Sequence, residues 1–205
     1  MYPKSETEQM PLSASQTVVE LGQATAVAQQ LVELLAKQGK SIATAESCTG
    51  GLVSQIITQI SGASQVFGFG FCTYANQAKE QILGVSIDVL NRYGAVSCPV
   101  AAAMCKGAAK VAGADFGIGI TGIAGPTGGT PEKPVGLVYV SVCDAQQVWV
   151  QRLLLTGKTR EQVRHTSAQT ALEMALALAR GQAPEGDCRR FTLQESAYWN
   201  SEKEG

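Results

Sequence analysis

The chain has one histidine, His165, and no two cysteines spaced as CxxC. Its six cysteines (Cys48, Cys72, Cys98, Cys105, Cys143 and Cys188) are scattered. A Cys/His metal centre needs clustered ligands, so neither a metal nor a cofactor is expected. No uninterrupted apolar run approaches the ~20 residues of a membrane-spanning helix, and the polar start MYPKSETEQMPLSASQ lacks the apolar middle of a signal peptide. The formal net charge is −1, which gives no bulk attraction for nucleic acid. There is no internal repeat. Most cysteines lie in apolar segments, where a free thiol behaves as a small hydrophobe, and this fits a reducing cytoplasm. The expectation is a cytoplasmic protein with no nucleic-acid or membrane partner.

What is present is enough for one domain: 205 residues, 45% of them hydrophobic. Residues 1–20 are rich in Ser, Thr, Glu and Gln and read as a disordered arm. Residues 24–38 place Val27, Leu31, Leu34 and Leu35 on one helical face, with Gly39 as the cap. A strand at 42–45 is followed by the turn ESCTGG and a helix from Leu52 to Ile60. In 66–74, VFGFGFCTY, the period of two predicts a strand with Phe67, Phe69 and Phe71 on one face. Gly68 and Gly70 then lie on the other face, against a close neighbour. Helices are expected from Asn76, over 86–92 and over 98–112, where Pro99 suits a first turn. A buried strand at 115–121 leads into the loop GIAGPTGGTPEKPVG, then a hairpin of 136–143 and 147–155, then a helix over 159–180. Residues 182–205 read as a flexible tail in which Phe191, Tyr198 and Trp199 have the means to dock. This order predicts an α/β fold: a three-layer α/β/α sandwich with a mixed sheet over residues 21–181.

Chemistry concentrates at Ser41–Gly51, SIATAESCTGG, a strand, a tight turn and a helix start. Ser47 has two readings there, a nucleophile beside backbone N–H groups or an N-cap serine. The sequence is not the GxSxG elbow, which weighs toward the cap. Cys48 is a rival nucleophile or a small buried filler, and the filler is favoured. Glu46 is either a ligand for substrate or a charge that orients the turn, and Thr49 is a further cap candidate. A serine nucleophile needs a base. The lone His165 sits between Arg164 and Thr166 on a helix, so a Ser-His-Asp triad is disfavoured. Lys79, in a rather apolar segment after Tyr74 and Asn76, is the other available base, against the usual fate of a lysine at the surface. The loop TGIAGPTGG matches neither a Walker A loop nor GxGxxG. Arg160 and Arg164, four apart on one helix face, either hold a phosphate or are ordinary surface charge.

Four motifs taken together, TAESCTGG, FCTYANQAK, GAVSxP and GITGIAGPTGG with EKPVG, resemble those of the CinA C-terminal domain family, over roughly residues 24–180 and in the same order. Stand-alone members of that family are nicotinamide-nucleotide amidohydrolases. The molybdopterin-binding-like domain of longer CinA proteins is not seen, which fits the stand-alone form. The resemblance implies hydrolysis of the carboxamide of nicotinamide mononucleotide (NMN) to nicotinic acid mononucleotide and ammonia, in pyridine nucleotide salvage. It implies Ser47 as nucleophile with Lys79 and Tyr74 as catalytic partners, and no metal. Substrate contacts are implied at Glu46, Thr49 and Gly50, and at Thr121, Gly122 and Gly125, with Arg160 and Arg164 as candidates for the phosphate. A homodimer is a further expectation. A nucleotide-binding protein without catalysis, tied to competence or DNA damage, is the alternative.

Overall fold

In a computed structural model, residues 21–192 are described. The readings of residues 1–20 as a disordered arm and of Tyr198 and Trp199 as docking residues lie outside them. Six strands form one sheet in the order β2-β1-β3-β4-β5-β6. The elements run α1 (Leu21–Gln38), β1 (Ile42–Glu46), α2 (Leu52–Thr58), a 3-10 turn at Ala63–Gln65 and β2 (Phe67–Cys72). Then come α3 (Asn76–Leu83), α4 (Ile87–Tyr93), α5 (Cys98–Ala112) and β3 (Phe116–Gly122). β4 (Leu137–Cys143), β5 (Gln147–Leu154), α6 (Arg160–Ala179) and β6 (Cys188–Thr192) complete the chain. β1 pairs in parallel with both β2 and β3, and the remaining pairs are antiparallel.

The alternation of side chains along the strands builds two cores. Ile42, Ile118, Val140 and Leu153 face α1, α2 and α6 on one side of the sheet. Ala43 and Ala45 face α4 and α5 on the other, and Tyr139 and Val150 also pack on α5. This is the expected α/β/α sandwich, with apolar surface buried on both faces of the sheet.

Two expectations are corrected. The three phenylalanines of β2 do not share a face. The β1–β2 register shifts between Ile42 and Thr44, where Ile42 pairs with Phe67 but Thr44 with Gly70. The extra residue sends Phe67 to the α1/α2/α6 core and Phe71 to the opposite one, with Phe69 stacked on Phe71 and half exposed. Gly70 is closely packed as anticipated: a Cβ there would lie 2.5 Å from Ser54 Oγ of α2. The second correction concerns the tail. Residues 188–192 are not free chain but strand β6, antiparallel to β5, with Phe191 packed beside Val148 and Val150.

The parallel strands β1, β2 and β3 end at one edge of the sheet. Gly122 at the end of β3 pairs with Val138 at the start of β4, and Leu137 pairs with Leu154 at the end of β5. The turn after β1, the link from β2 to α3, the Gly/Pro loop after β3 and the start of α6 therefore converge on that edge.

Candidate active site

Alternation along β1 decides what its last residues can do. Thr44 and Glu46 point toward α2, and Ser47 points to the side of Ala43 and Ala45, where α3 carries Lys79. Lys79 is 1% exposed. Its Nζ lies 3.2 Å from Ser47 Oγ, 2.8 Å from the Thr73 carbonyl oxygen and 3.3 Å from that of Tyr74. All three neighbours are uncharged, and burial pushes the Lys79 pKa below its ordinary 10.5. A neutral amine has two N–H bonds and one lone pair. The two carbonyls can only accept, so they take both N–H bonds and leave the lone pair facing the Ser47 hydroxyl. After protonation, three N–H bonds meet three acceptors. The arrangement therefore suits both states of a proton carrier.

The turn after Ser47 is held from below by Glu46. Its carboxylate is fully buried and accepts four hydrogen bonds: from Gly51 N (3.0 Å), Val53 N (3.1 Å), Ser54 N (2.8 Å) and Ser54 Oγ (2.8 Å). Thr44 Oγ1 lies 2.8 Å from the same Ser54 hydroxyl. Of the two readings of Glu46, the charge that orients the turn is the one observed. A carboxylate so committed at the start of α2 has no surface for substrate, and it occupies a helix start, where an anion is favoured. Ser47 N donates to the Ile120 carbonyl and Gly50 N to the Ser47 carbonyl. Among the described residues, the Cys48 N–H is paired with no other main-chain group and is set beside its own thiol. Gly50 and Gly51, at φ of 62° and 95°, make the turn in a region that costs other residues strain.

The remaining candidates divide. Cys48 is buried, and burial pushes its thiol up to about 12, so it stays protonated and fills space. Thr49 is fully buried; its hydroxyl caps nothing, and its carbonyl accepts from Arg164 Nε (3.2 Å) and Nη2 (2.7 Å). Gly50 lies exposed at the rim. Thr121 is buried and donates its hydroxyl to the Ala95 carbonyl at 2.8 Å, tying the end of β3 to the segment before α5. Gly122 is half-buried and Gly125 buried, so the loop offers little of either to solvent. Tyr74 is 62% exposed, and its phenol oxygen accepts from Arg160 Nη2 at 3.2 Å. Its carbonyl, not its phenol, is what reaches Lys79. Arg160 is exposed and also donates from Nη1 to the Gly125 carbonyl at 2.7 Å, so it joins the β2–α3 link, the loop and α6. His165 is half-buried on α6 and is not among the partners of Ser47. No group of three or more His, Cys, Asp or Glu among the described residues could hold a metal.

Sequence reasoning missed the carbonyls of Thr73 and Tyr74 and the role of Ser54. Main-chain acceptors leave no residue-type signal, and Ser54 reads as one more polar position on a short helix.

Comparison with known proteins gives the family and the fold. The profile of the CinA C-terminal domain matches residues 24–179. A "CinA-like protein" of Desulfovibrio desulfuricans is 51% identical over 146 residues, which cover 70% of this chain and 34% of the relative. One of Syntrophotalea carbinolica is 48% identical over 156 residues, 76% of this chain and 37% of the relative. The chain thus spans about a third of the length of these relatives. Among solved structures, the competence/damage inducible protein CihA of Agrobacterium tumefaciens superposes with a TM-score of 0.75 at 40% identity, covering 77% of this chain and 96% of that one. A CinA superfamily protein of Escherichia coli gives 0.72 at 34% identity over 80% and 95%.

Proposed function

The chain belongs to the CinA C-terminal domain family, and from that premise we propose that it is an amidase that hydrolyses the carboxamide of NMN to nicotinic acid mononucleotide and ammonia. The observation that carries the reading is the buried Lys79 amine, aimed at Ser47 Oγ by two main-chain carbonyls. A lysine desolvated among neutral groups has little use for stability, whereas a neutral amine beside a hydroxyl is a general base for a serine.

The chemistry follows in two halves. Lys79 Nζ takes the Ser47 proton as Oγ bonds to the carboxamide carbon. The charge that develops on the amide oxygen is met by the Cys48 N–H, the donor beside the nucleophile, which among the described residues is paired with no other main-chain group. Lys79 then gives its proton to the amide nitrogen, the C–N bond breaks and ammonia leaves. In the second half, water loses a proton to Lys79, attacks the acyl carbon and releases the carboxylic acid, and Ser47 recovers its proton. No step asks for a metal. Tyr74 contributes its carbonyl to Lys79, and its phenol stands at the mouth with Arg160.

Ammonia release from NMN by the purified chain, with and without EDTA, tests the reading. Wild type is expected to turn over in both conditions. Ser47→Ala should lose about 10³-fold or more while keeping its fold. Turnover near wild type in that variant would sink the assignment. The rival reading is a nucleotide-binding protein without catalysis, tied to competence or damage, the words in the name of the Agrobacterium tumefaciens structure. NMN binding with no ammonia produced would favour it. Parallel assays with nicotinamide and NAD separate NMN from other amides.

A further inference from the structure

Spacing treats Arg160 and Arg164 alike, four apart on one face of α6, yet the structure gives them different company. Arg164 donates from both Nε and Nη2 to one oxygen, the carbonyl of Thr49, two residues after the nucleophile. Thr49 is completely buried, so this carbonyl has no water to turn to. Arg160 is exposed, and its two acceptors are the Gly125 carbonyl and the Tyr74 phenol at the rim.

We infer that Arg164 is a positioning residue for the turn that carries Ser47 and the Cys48 N–H, and that Arg160 alone reads the anionic end of the substrate. This rests on the amidase reading above. The turn from Ser47 to Gly51 has one internal main-chain bond, Gly50 N to the Ser47 carbonyl. Its first residue is tied to β3 by Ser47 N on the Ile120 carbonyl, and the rest is held from two sides: Glu46 holds the Gly51 N–H, and Arg164 holds the Thr49 carbonyl. A planar guanidinium with two N–H bonds on one oxygen fixes the orientation of the Thr49–Gly50 peptide. The two peptides before it follow, and with them the direction of the Cys48 N–H. To bind a phosphate, Arg164 would have to let go of Thr49 and strand a buried carbonyl. Arg160 has no such obligation: both of its partners sit at the mouth, and it keeps further N–H bonds for an anion.

The test compares NMN with its dephosphorylated nucleoside, nicotinamide riboside. Arg164→Met is expected to lower kcat about 10²-fold for both, as misplacement of reacting groups does, with KM within about 2-fold. Arg164→Lys, which restores one donor, should recover part of the loss. Arg160→Met should raise KM for NMN about 10-fold or more and raise that for the nucleoside by less, because only NMN carries the phosphate. Amide hydrogen exchange over residues 47–51 should speed up in Arg164→Met and not in Arg160→Met. A rise in KM confined to NMN in Arg164→Met, or unchanged exchange in the turn, overturns the inference. Should wild type release ammonia from neither compound, it is the amidase reading that fails. The division of roles is then decided by exchange and by NMN titration: binding kept in Arg164→Met and lost in Arg160→Met upholds it, and any other pattern, including no binding by wild type, rejects it.

Discussion

Replacing Glu46 by glutamine separates a structural carboxylate from a substrate ligand, because the two roles predict opposite kinetics. Glu46 Oε2 accepts from Gly51 N and Val53 N, and Oε1 accepts from Ser54 N and Ser54 Oγ. A glutamine has one oxygen and one NH2 group. With the oxygen at the Oε2 position, the NH2 faces the Ser54 N–H. The Ser54 hydroxyl can rotate to accept, but the amide cannot, and one buried N–H is left unpaired. With the groups exchanged, both Gly51 N and Val53 N lose their acceptor, which is worse. The better arrangement strands one N–H and also removes the charge from the two bonds that persist. Charge-assisted bonds contribute about 1.5–3 kcal/mol, and an unpaired buried amide costs about 1–3 kcal/mol, so Glu46→Gln should destabilise by about 2–4 kcal/mol. For a chain of this size that is a fall in Tm of about 5–15 °C. Thermal melting reads the first effect. Steady-state kinetics on NMN should show kcat falling with KM little changed, since the turn that carries Ser47 is loosened. A Tm within about 1 °C of wild type together with a raised KM would refute the reasoning and return Glu46 to the substrate.

The direction of the Lys79 shift sets two pH dependences. Because burial lowers its pKa below 10.5, kcat/KM should rise with pH through that lowered value and level off before 10.5, and Lys79→Met should abolish turnover; a profile flat from acid to alkaline pH would contradict a lysine base. Between the lowered value and 10.5 the unfolded chain binds more protons at this lysine than the folded one, so stability rises with pH in that window, and urea titrations of Lys79→Met should show a shallower rise than wild type. Thiol chemistry gives an independent check of burial. Cys72 is exposed, Cys48 and Cys98 are buried with thiols pushed up to about 12, Cys188 is half-buried and also pushed to about 12, and Cys105 and Cys143 are buried. A disulfide reagent at pH 8 should therefore modify Cys72 well before the others, with all six reacting in denaturant; several equally fast thiols in the folded protein would argue against this packing.

Where local pattern and burial agree, the sequence is a good guide. The helix over 98–112 and the hairpin after the Gly/Pro loop appear nearly where periodicity puts them. It fails where a neighbour decides. In CRRFT, Arg189 and Arg190 interrupt any apolar alternation, and the segment forms a strand because β5 has a free edge to pair with, where charge is tolerated. The phenylalanines of β2 keep their period of two in sequence, but one residue inserted against β1 turns Phe67 over. The site divides in the same way. That His165 is a disfavoured partner for a serine at this turn is read from the residues themselves. Lys79, 32 residues on, is also read there as a candidate base, and the family's motifs favour it over the solvated lysine that a short helix suggests. What neither source gave is the wiring. Two carbonyls aim an amine, and the carboxylate beside Ser47 spends its capacity on three amides and a hydroxyl five to eight residues ahead. Those roles belong to main-chain atoms brought together by the parallel ends of β1, β2 and β3. A side-chain alphabet does not encode them directly; it encodes the strands and helices that do the placing.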